Sequence, residues 1–141
     1  MKRFIGVVLL VFLATGSSSA KIHSWKGVVH LSALPFIEGT GIYADVRILQ
    51  TADQNGTRAG AITNLSLLAV QAGLGSTILF TDDDLPPLFR SMHRIVGMGI
   101  LGSALWITIE GAIDKGVPAA ARGSAAAHAA LVAVPLLLFT F

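Results

Sequence analysis

The chain has 141 residues, of which 53% are hydrophobic and 13% charged, and its mean hydropathy is +0.72. A soluble domain is about 25% charged, so the composition predicts a single-domain integral membrane protein. The net charge of +2 comes from scattered basic residues, which argues against a nucleic-acid-binding surface. The chain contains no cysteine, so disulfides, thiolate metal sites, iron–sulfur clusters and covalently attached c-type haem are excluded.

The first 20 residues have the pattern of a secretory signal peptide. Residues 1–3 include the basic Lys2 and Arg3, residues 4–14 form an apolar run, and residues 18–20 are small. The apolar run is too short to cross a hydrocarbon layer, which needs about 20 residues. Residues 1–20 are therefore predicted to be an export signal, with an uncleaved anchor as the alternative. In both cases Lys21 starts on the outer side.

The rest of the chain, residues 21–141, is predicted to form one membrane domain. Proline, glycine and polar residues divide it into four apolar segments, each long enough to span a bilayer. Short connections favour antiparallel neighbours, so the predicted fold is all-α, a four-helix transmembrane bundle running up-down-up-down. The segments cover about residues 22–49, 59–81, 86–113 and 118–140.

The connections between these segments differ in charge. Arg47 and Arg58 flank the first connection, and Lys115 and Arg122 flank the third, whereas the second contains three aspartates at 82–84. Positive residues mark the cytoplasmic side, so the mature N-terminus and the C-terminus are both predicted to lie outside. This agrees with the signal peptide and predicts a protein of the bacterial inner membrane.

Three of the four histidines, His30, His93 and His128, lie inside predicted spans, where ionisable side chains are costly and usually functional. His30 and His93 lie on the first and third helices, both ~10–12 Å below the outer face at 1.5 Å per residue. Two level imidazoles facing each other are what bis-histidine ligation of a b-type haem requires. The sequence therefore predicts one haem b near the outer face, with His30 and His93 as iron ligands.

Basic side chains lie where the propionates of such a haem would emerge. Arg90 and Arg94 bracket His93, and Lys26 lies one turn outward of His30. Arginine recognises carboxylates through paired hydrogen bonds, so these three cations are predicted to bind the haem. The alternative is that they extend to lipid head groups.

A second polar group is predicted closer to mid-membrane. Glu38 and His128 reach similar depths, and Asn64 and Gln71 supply polar side chains on the second helix. Intramembrane ionisable residues mark proton and ligand pathways, so these four residues are predicted to bind a quinone head group or to relay a proton. The alternative is a buried hydrogen-bonded pair that only fixes helix register.

Other acidic residues of the spans are assigned no chemistry. Asp45, Glu110 and Asp114 fall towards the inner ends of the first and third helices, close to Arg47 and Lys115. We expect these residues to form charge pairs at the membrane interface.

Three segments carry a resemblance to a known family. They are VVHLSALPFIEGTGIYADVR, FRSMHRIVGMGILGSALW and GSAAAHAALVAV, and they resemble the four-helix haem core of the transmembrane cytochrome b561 family and its small bacterial relatives. In that family the first and third core helices hold one haem and the second and fourth hold another. The resemblance implies haem ligation by His30 and His93, and it places His128 at the fourth family histidine. The second helix of this chain has no histidine, so the inner haem is expected to be missing.

The leading prediction is a single-haem cytochrome b subunit that passes electrons between a quinone pool and a partner redox protein, rather than a self-contained enzyme. Partner subunits or a homodimer are expected, because the chain has no substrate domain. A second hypothesis is a transporter whose polar side chains line a path for protons, ions or small solutes. A third is a structural or assembly subunit without haem, whose Ala- and Gly-rich helices pack against larger partners.

Overall fold

The computed structural model describes the backbone of residues 25–80 and 85–140, and the side chains of residues 31–78 and 85–137. This part of the chain forms four helices, and the all-α prediction is confirmed. Their bounds agree with the predicted segments to within a few residues. The predicted signal peptide at 1–20 lies outside the described residues. The helices are α1 (Trp25–Thr51), α2 (Asn55–Phe80), α3 (Pro87–Ile113) and α4 (Ala119–Thr140).

The four helices pack as a ring in chain order. α1 packs on α2, α2 on α3, α3 on α4, and α4 closes the ring on α1. α1 therefore lies diagonally opposite α3, and α2 lies opposite α4. Contacts between α2 and α3 pair Asn64 with Ser103 and Gln71 with His93, so these two helices run in opposite directions.

Three of these helices are long and apolar enough to cross a membrane, over residues 55–78, 87–113 and 119–137. The described part of α1 is not among them, and it carries Glu38, Asp45 and Arg47. Large apolar side chains cover the outside of the bundle, with about two thirds of the surface of Ile109 and Leu137 exposed. Lipid rather than water is the solvent that suits such a surface, so the fold suggests a membrane protein.

The interior has two apolar clusters with a polar layer between them. The first cluster lies towards the 52–54 and 114–118 loops, and the second lies two to three turns away along the helices. The first consists of Ala44, Ile48, Ala52, Ala61, Ile107, Val117, Ala121 and Ala125. The buried residues of the second are Ile37, Leu68, Ile100 and Val132. This layering sets the position of every buried polar group described below.

Asp114 ties the two short loops together at one end of the bundle. Its Oδ1 accepts hydrogen bonds from the backbone N–H groups of Asp53, at 3.1 Å, and Gly116, at 2.9 Å. Its Oδ2 accepts from the backbone N–H of Gln54 at 3.0 Å. Burial by itself raises the pKa of Asp114, but these hydrogen bonds and the side chain of Thr57 outweigh it and lower that pKa below the ordinary value of 3.8.

Asp114 therefore corrects one expectation from the sequence. It was expected to form an interfacial charge pair, but the backbone N–H groups of the two loops are its partners. A carboxylate that follows a helix can receive several loop N–H groups at once, and Asp114 does so in place of binding Lys115. Gly116 is required beside it, because an added Cβ would overlap the carbonyl oxygen of Thr51.

Candidate functional site

Each helix contributes one buried polar side chain to a single level of the bundle. These side chains are Asp45 of α1, Asn64 of α2, Ser103 of α3 and His128 of α4, which together we call the polar layer. At most 5% of the surface of any of them is exposed. Apolar clusters close the layer on both sides, so it is sealed from both ends of the bundle.

Three members of the polar layer form one hydrogen-bonded chain. The Nδ2 group of Asn64 donates to Oδ2 of Asp45 at 2.7 Å. The hydroxyl of Ser103 donates to Oδ1 of Asn64 at 2.7 Å, and the same oxygen of Ser103 lies 3.0 Å from the carbonyl oxygen of Ile100. The chain fixes the orientation of the Asn64 amide and links α1, α2 and α3 through polar contacts.

Asp45 is the second residue for which the expected interfacial charge pair is wrong. It is 1% exposed, and it accepts a hydrogen bond from the uncharged amide of Asn64. Its Oδ1 atom is buried and has no hydrogen-bond partner among the described residues. The physical reason is helix rotation, because Asp45 faces the interior next to the small Ala44 and not the interface beside Arg47.

His128 is held against α1 by its ring. Its Nδ1 lies 2.7 Å from the carbonyl oxygen of Ile37, and its Nε2 is buried with no partner in the described part of the chain. The ring packs directly on Gly41, where an added Cβ would lie 2.6 Å from Cε1 of the imidazole. Glycine at position 41 therefore makes room for the histidine.

Gln71 and His93 form a separate polar contact further along α2 and α3. Their Nε2 atoms lie 3.2 Å apart, and both side chains are half-buried. Gln71 follows Asn64 by seven residues, so both lie on the same face of α2, two turns apart. The His93 ring also lies against Gly75, where an added Cβ would be 3.4 Å from its Cε1.

The four residues predicted as a quinone or proton site do not come together as one group. Asn64 and His128 belong to the polar layer, whereas Gln71 contacts His93. The side chain of Glu38 is half-buried, and His128 bonds the backbone of the preceding residue, Ile37, instead. Quinone binding stays a prediction.

The predicted haem site is described only in part. His30 and Lys26 lie on α1, but their side chains are outside those described. Arg90 and Arg94 are exposed, and His93 makes its described contacts with α2. Ligation of iron by Nε2 of His93 would replace the contact of that atom with Gln71.

No group of three or more His, Cys, Asp or Glu side chains in the described ranges is arranged to hold a metal ion. Ligation of haem iron by His30 and His93, with Arg90, Arg94 and Lys26 at the propionates, therefore stays a prediction.

The sequence reasoning did not select Asp45 and Ser103 as functional residues. Both sit close to the level of Asn64, counted from the 52–54 and 114–118 ends of their helices. A search for polar residues at equal depth on neighbouring helices, like the one that paired His30 with His93, would have found them.

The chain matches no protein-family model, no curated protein and no solved structure. A functional assignment must therefore come from the residues themselves. The likeness to the cytochrome b561 family stays an expectation drawn from three segments of sequence.

Proposed function

We propose that this protein is a membrane carrier that moves a small cation through the polar interior of its four-helix bundle. The observation that supports this most is Asp45, a buried carboxylate that accepts a hydrogen bond from an uncharged amide and whose Oδ1 has no partner among the described residues. Intramembrane carboxylates commonly mark ion and proton pathways. The polar layer is accordingly the proposed binding site.

The energetics of burial support a binding role. An isolated ionised carboxylate is very costly in an apolar interior, so it takes up a proton or stays beside a cation. Leaving a buried acceptor without a donor costs about 1–3 kcal/mol. Asparagine at position 45 would keep the hydrogen bond with Asn64 without the cost of burying a charge. A carboxylate at this position is explained when a cation binds there.

The sealed position of the polar layer favours a carrier over an open channel. The second apolar cluster, which includes Leu68 and Ile100, separates Asn64 from the Gln71–His93 contact. These two polar positions are seven residues apart on α2, or about 10 Å. Passage of a cation requires the helices to move so that the layer opens to one side at a time.

We further propose that the helices cross the membrane in alternating directions, with the loops around 52–54 and 114–118 on the cytoplasmic side. The contact between these loops through Asp114 supports a common side. Arg47, Arg58, Lys115 and Arg122 flank them, and positive residues favour the cytoplasm. A cysteine introduced at the exposed Lys115 should be labelled only from inside in cells; labelling from outside would contradict this orientation.

Transport is tested with the purified protein in liposomes that contain a pH-sensitive dye, under an imposed potassium diffusion potential. We expect proton uptake above that of empty liposomes, and a loss of about tenfold or more in Asp45→Asn, which corresponds to a barrier about 1.4 kcal/mol higher. Asp53→Asn, which alters an exposed loop carboxylate, is the matched control and should transport normally. Parallel assays with sodium- and potassium-sensitive dyes identify the cation. Equal rates in wild type and Asp45→Asn would overturn the proposal.

A single-haem cytochrome b that transfers electrons is the second candidate. The observation that favours it is the half-buried His93, packed on Gly75 near one end of α3, where Arg90 and Arg94 are exposed. The contact of its Nε2 with Gln71 counts against it. A bound haem would supply the redox centre, and the cations of α3 would bind its propionates.

The cytochrome candidate is tested by the reduced-minus-oxidised spectrum of protein purified from cells supplied with a haem precursor. If the protein is a cytochrome b, it should show a b-type α-band that is lost in both His30→Ala and His93→Ala and retained in His128→Gln. A stable but colourless wild-type protein would rule this candidate out and leave the carrier proposal unaffected.

A further inference from the structure

Two buried acceptor atoms of the polar layer have no hydrogen-bond partner among the described residues. They are Oδ1 of Asp45 and Nε2 of His128, and both side chains are 1% exposed. Buried polar atoms are nearly always satisfied in folded proteins. Two such atoms in one layer indicate that something binds between their side chains.

The contact with Ile37 fixes the proton on the His128 ring. A backbone carbonyl only accepts hydrogen bonds, so Nδ1, at 2.7 Å from that oxygen, carries the hydrogen. In a neutral imidazole the other nitrogen is then an acceptor. The unpartnered Nε2 atom therefore presents a lone pair inside the bundle.

The backbone of α1 brings this lone pair close to Asp45. The His128 ring lies on Gly41, and Asp45 follows Gly41 by four residues on the same face of α1. Four residues of helix advance about 6 Å. One water molecule joins two acceptors about 5.5 Å apart, because each of its hydrogen bonds spans roughly 2.8 Å. Nε2 of His128 lies 2.8 Å from a Cβ built on Gly41, so about one helical turn separates it from Asp45, a span that a bridging water can cross.

We infer that Asp45 and His128 share one proton through a bridging water molecule, so that the cation of the proposed carrier is a proton. This rests on the proposed function. In the resting form, Oδ1–H of Asp45 donates to the water, and the water donates to Nε2 of His128. Transfer breaks the Oδ1–H bond and one O–H bond of the water. It forms a new O–H bond on that water and an Nε2–H bond, which leaves a carboxylate and an imidazolium.

The residue types of the layer favour a proton over a metal ion. Imidazole nitrogen suits transition metals, whereas hard cations take oxygen ligands. A transition metal would need more than one imidazole and one carboxylate, and no group of three such ligands occurs in the described part of the chain. A proton passed along a bridging water reaches both Oδ1 of Asp45 and Nε2 of His128 and needs no further ligand.

Other charged and titratable groups on the four helices sit outside this pair. Among the described side chains, Arg47 donates to Gln50, His93 contacts Gln71, and Arg122 donates to the carbonyl oxygen of Ala112. Those with described side chains are Glu38 and Arg47 of α1, half-buried; Tyr43 of α1, exposed; Arg58 of α2, exposed; His93 and Glu110 of α3, half-buried; Arg90 and Arg94 of α3, exposed; and Arg122 of α4, exposed.

Infrared spectroscopy of the full-length protein in lipid tests the shared proton. A protonated, buried carboxyl group gives its own C=O stretching band, which we expect in wild type and not in Asp45→Asn. If the proton is shared, the band should shift in frequency in His128→Gln and in Gly41→Ala, whose Cβ displaces the imidazole. Gly39→Ala is the matched control, because nothing lies within 4 Å of a Cβ added there, and its band should match wild type.

The outcomes separate this inference from the proposed function. A band that is absent, or that His128→Gln and Gly41→Ala leave unmoved, would overturn the shared proton even if liposomes show transport. A band that shifts in both variants supports the shared proton even if the liposomes show no transport, a result that would overturn the carrier proposal alone. Nitrogen-15 NMR of labelled histidine adds a check, since His128 should have its proton on Nδ1 and a hydrogen-bonded Nε2.

Discussion

Two buried aspartates in this protein, Asp114 and Asp45, differ in how many hydrogen bonds their carboxylates accept. Asp114 is fully buried, and its two oxygens receive three backbone hydrogen bonds from the loops. Asp45 is equally buried at 1% exposure, but the described residues give it one hydrogen bond, from the side chain of Asn64. The same side chain at the same burial is therefore satisfied in one region and left incomplete in the other.

The difference lies in the number of hydrogen-bond donors that each region offers to a buried carboxylate. Loop backbone offers several N–H groups, because loop residues do not use them in helical hydrogen bonds. The interior of a helix bundle offers none, because each backbone N–H is already bonded within its helix. A buried carboxylate there depends on neighbouring side chains, on water or on a bound cation.

The largest expected effect on stability comes from Asp114→Ala. Three backbone N–H groups of the loops would lose their acceptor, and the contact between the loops would open. We expect the thermal midpoint in detergent to fall by about 5 °C or more. Asp53→Asn changes a neighbouring exposed side chain and should leave the midpoint within experimental error. A larger fall in Asp45→Asn than in Asp114→Ala would reverse the comparison.

The contribution of Asp114 should also depend on pH. Its pKa in the folded protein is below the ordinary 3.8, so folding favours the ionised form. The stabilisation is therefore fully present above the ordinary pKa and is lost as pH falls through the lower folded-state value. Acid melting curves should show this loss in wild type and a weaker one in Asp114→Asn; identical acid profiles would show that Asp114 contributes no pH dependence.

Gly41→Ala should have the next largest effect. The new Cβ would lie 2.6 Å from the His128 ring, so the ring or helix α4 must move. We expect a loss of about 1–3 kcal/mol in unfolding free energy, as in other overpacked cores. Gly39→Ala, with open space around its Cβ, should instead gain up to about 1 kcal/mol from helix propensity. Equal stability of the two variants would mean that the ring does not pack on Gly41.

Asp45→Asn tests whether Asp45, unlike Asp114, contributes little to stability. Its side-chain oxygen still accepts from Asn64, and its neutral amide removes the cost of burying a charge. We expect an unfolding free energy within about 1 kcal/mol of wild type, or higher, together with the loss of proton uptake. A marked destabilisation in a melting experiment would indicate that Asp45 is structural, like Asp114.

The smallest expected effect is that of Ser103→Ala. This change removes the hydroxyl donor to Oδ1 of Asn64 and should cost about 1 kcal/mol. Ser66→Ala provides the matched control, because Ser66 is exposed and bonds the carbonyl of Ile62 in its own helix; its effect should stay within about 0.5 kcal/mol. If both variants unfold alike, the hydrogen-bonded chain adds no stability.

The helices themselves could be predicted from the sequence. Long apolar runs broken by turn residues placed the four segments, since helix length and the breaks between helices depend on local chemistry. Polar residues within those runs are also visible in the sequence, and two of them, Asn64 and His128, are buried in the structure. Asp45 was assigned to the interface because Arg47 follows it closely in the chain.

The four helices of the described ranges, their bounds and the apolar character that suits a bilayer depend on residues that are near one another in the chain, so the sequence predicts them. Which face of each helix turns inward depends instead on tertiary packing. Helix rotation brought Asp45 to Asn64, turned His93 towards Gln71, and set His128 on Gly41. Rotation follows from how small and large side chains of four helices pack together, and no single segment carries that information.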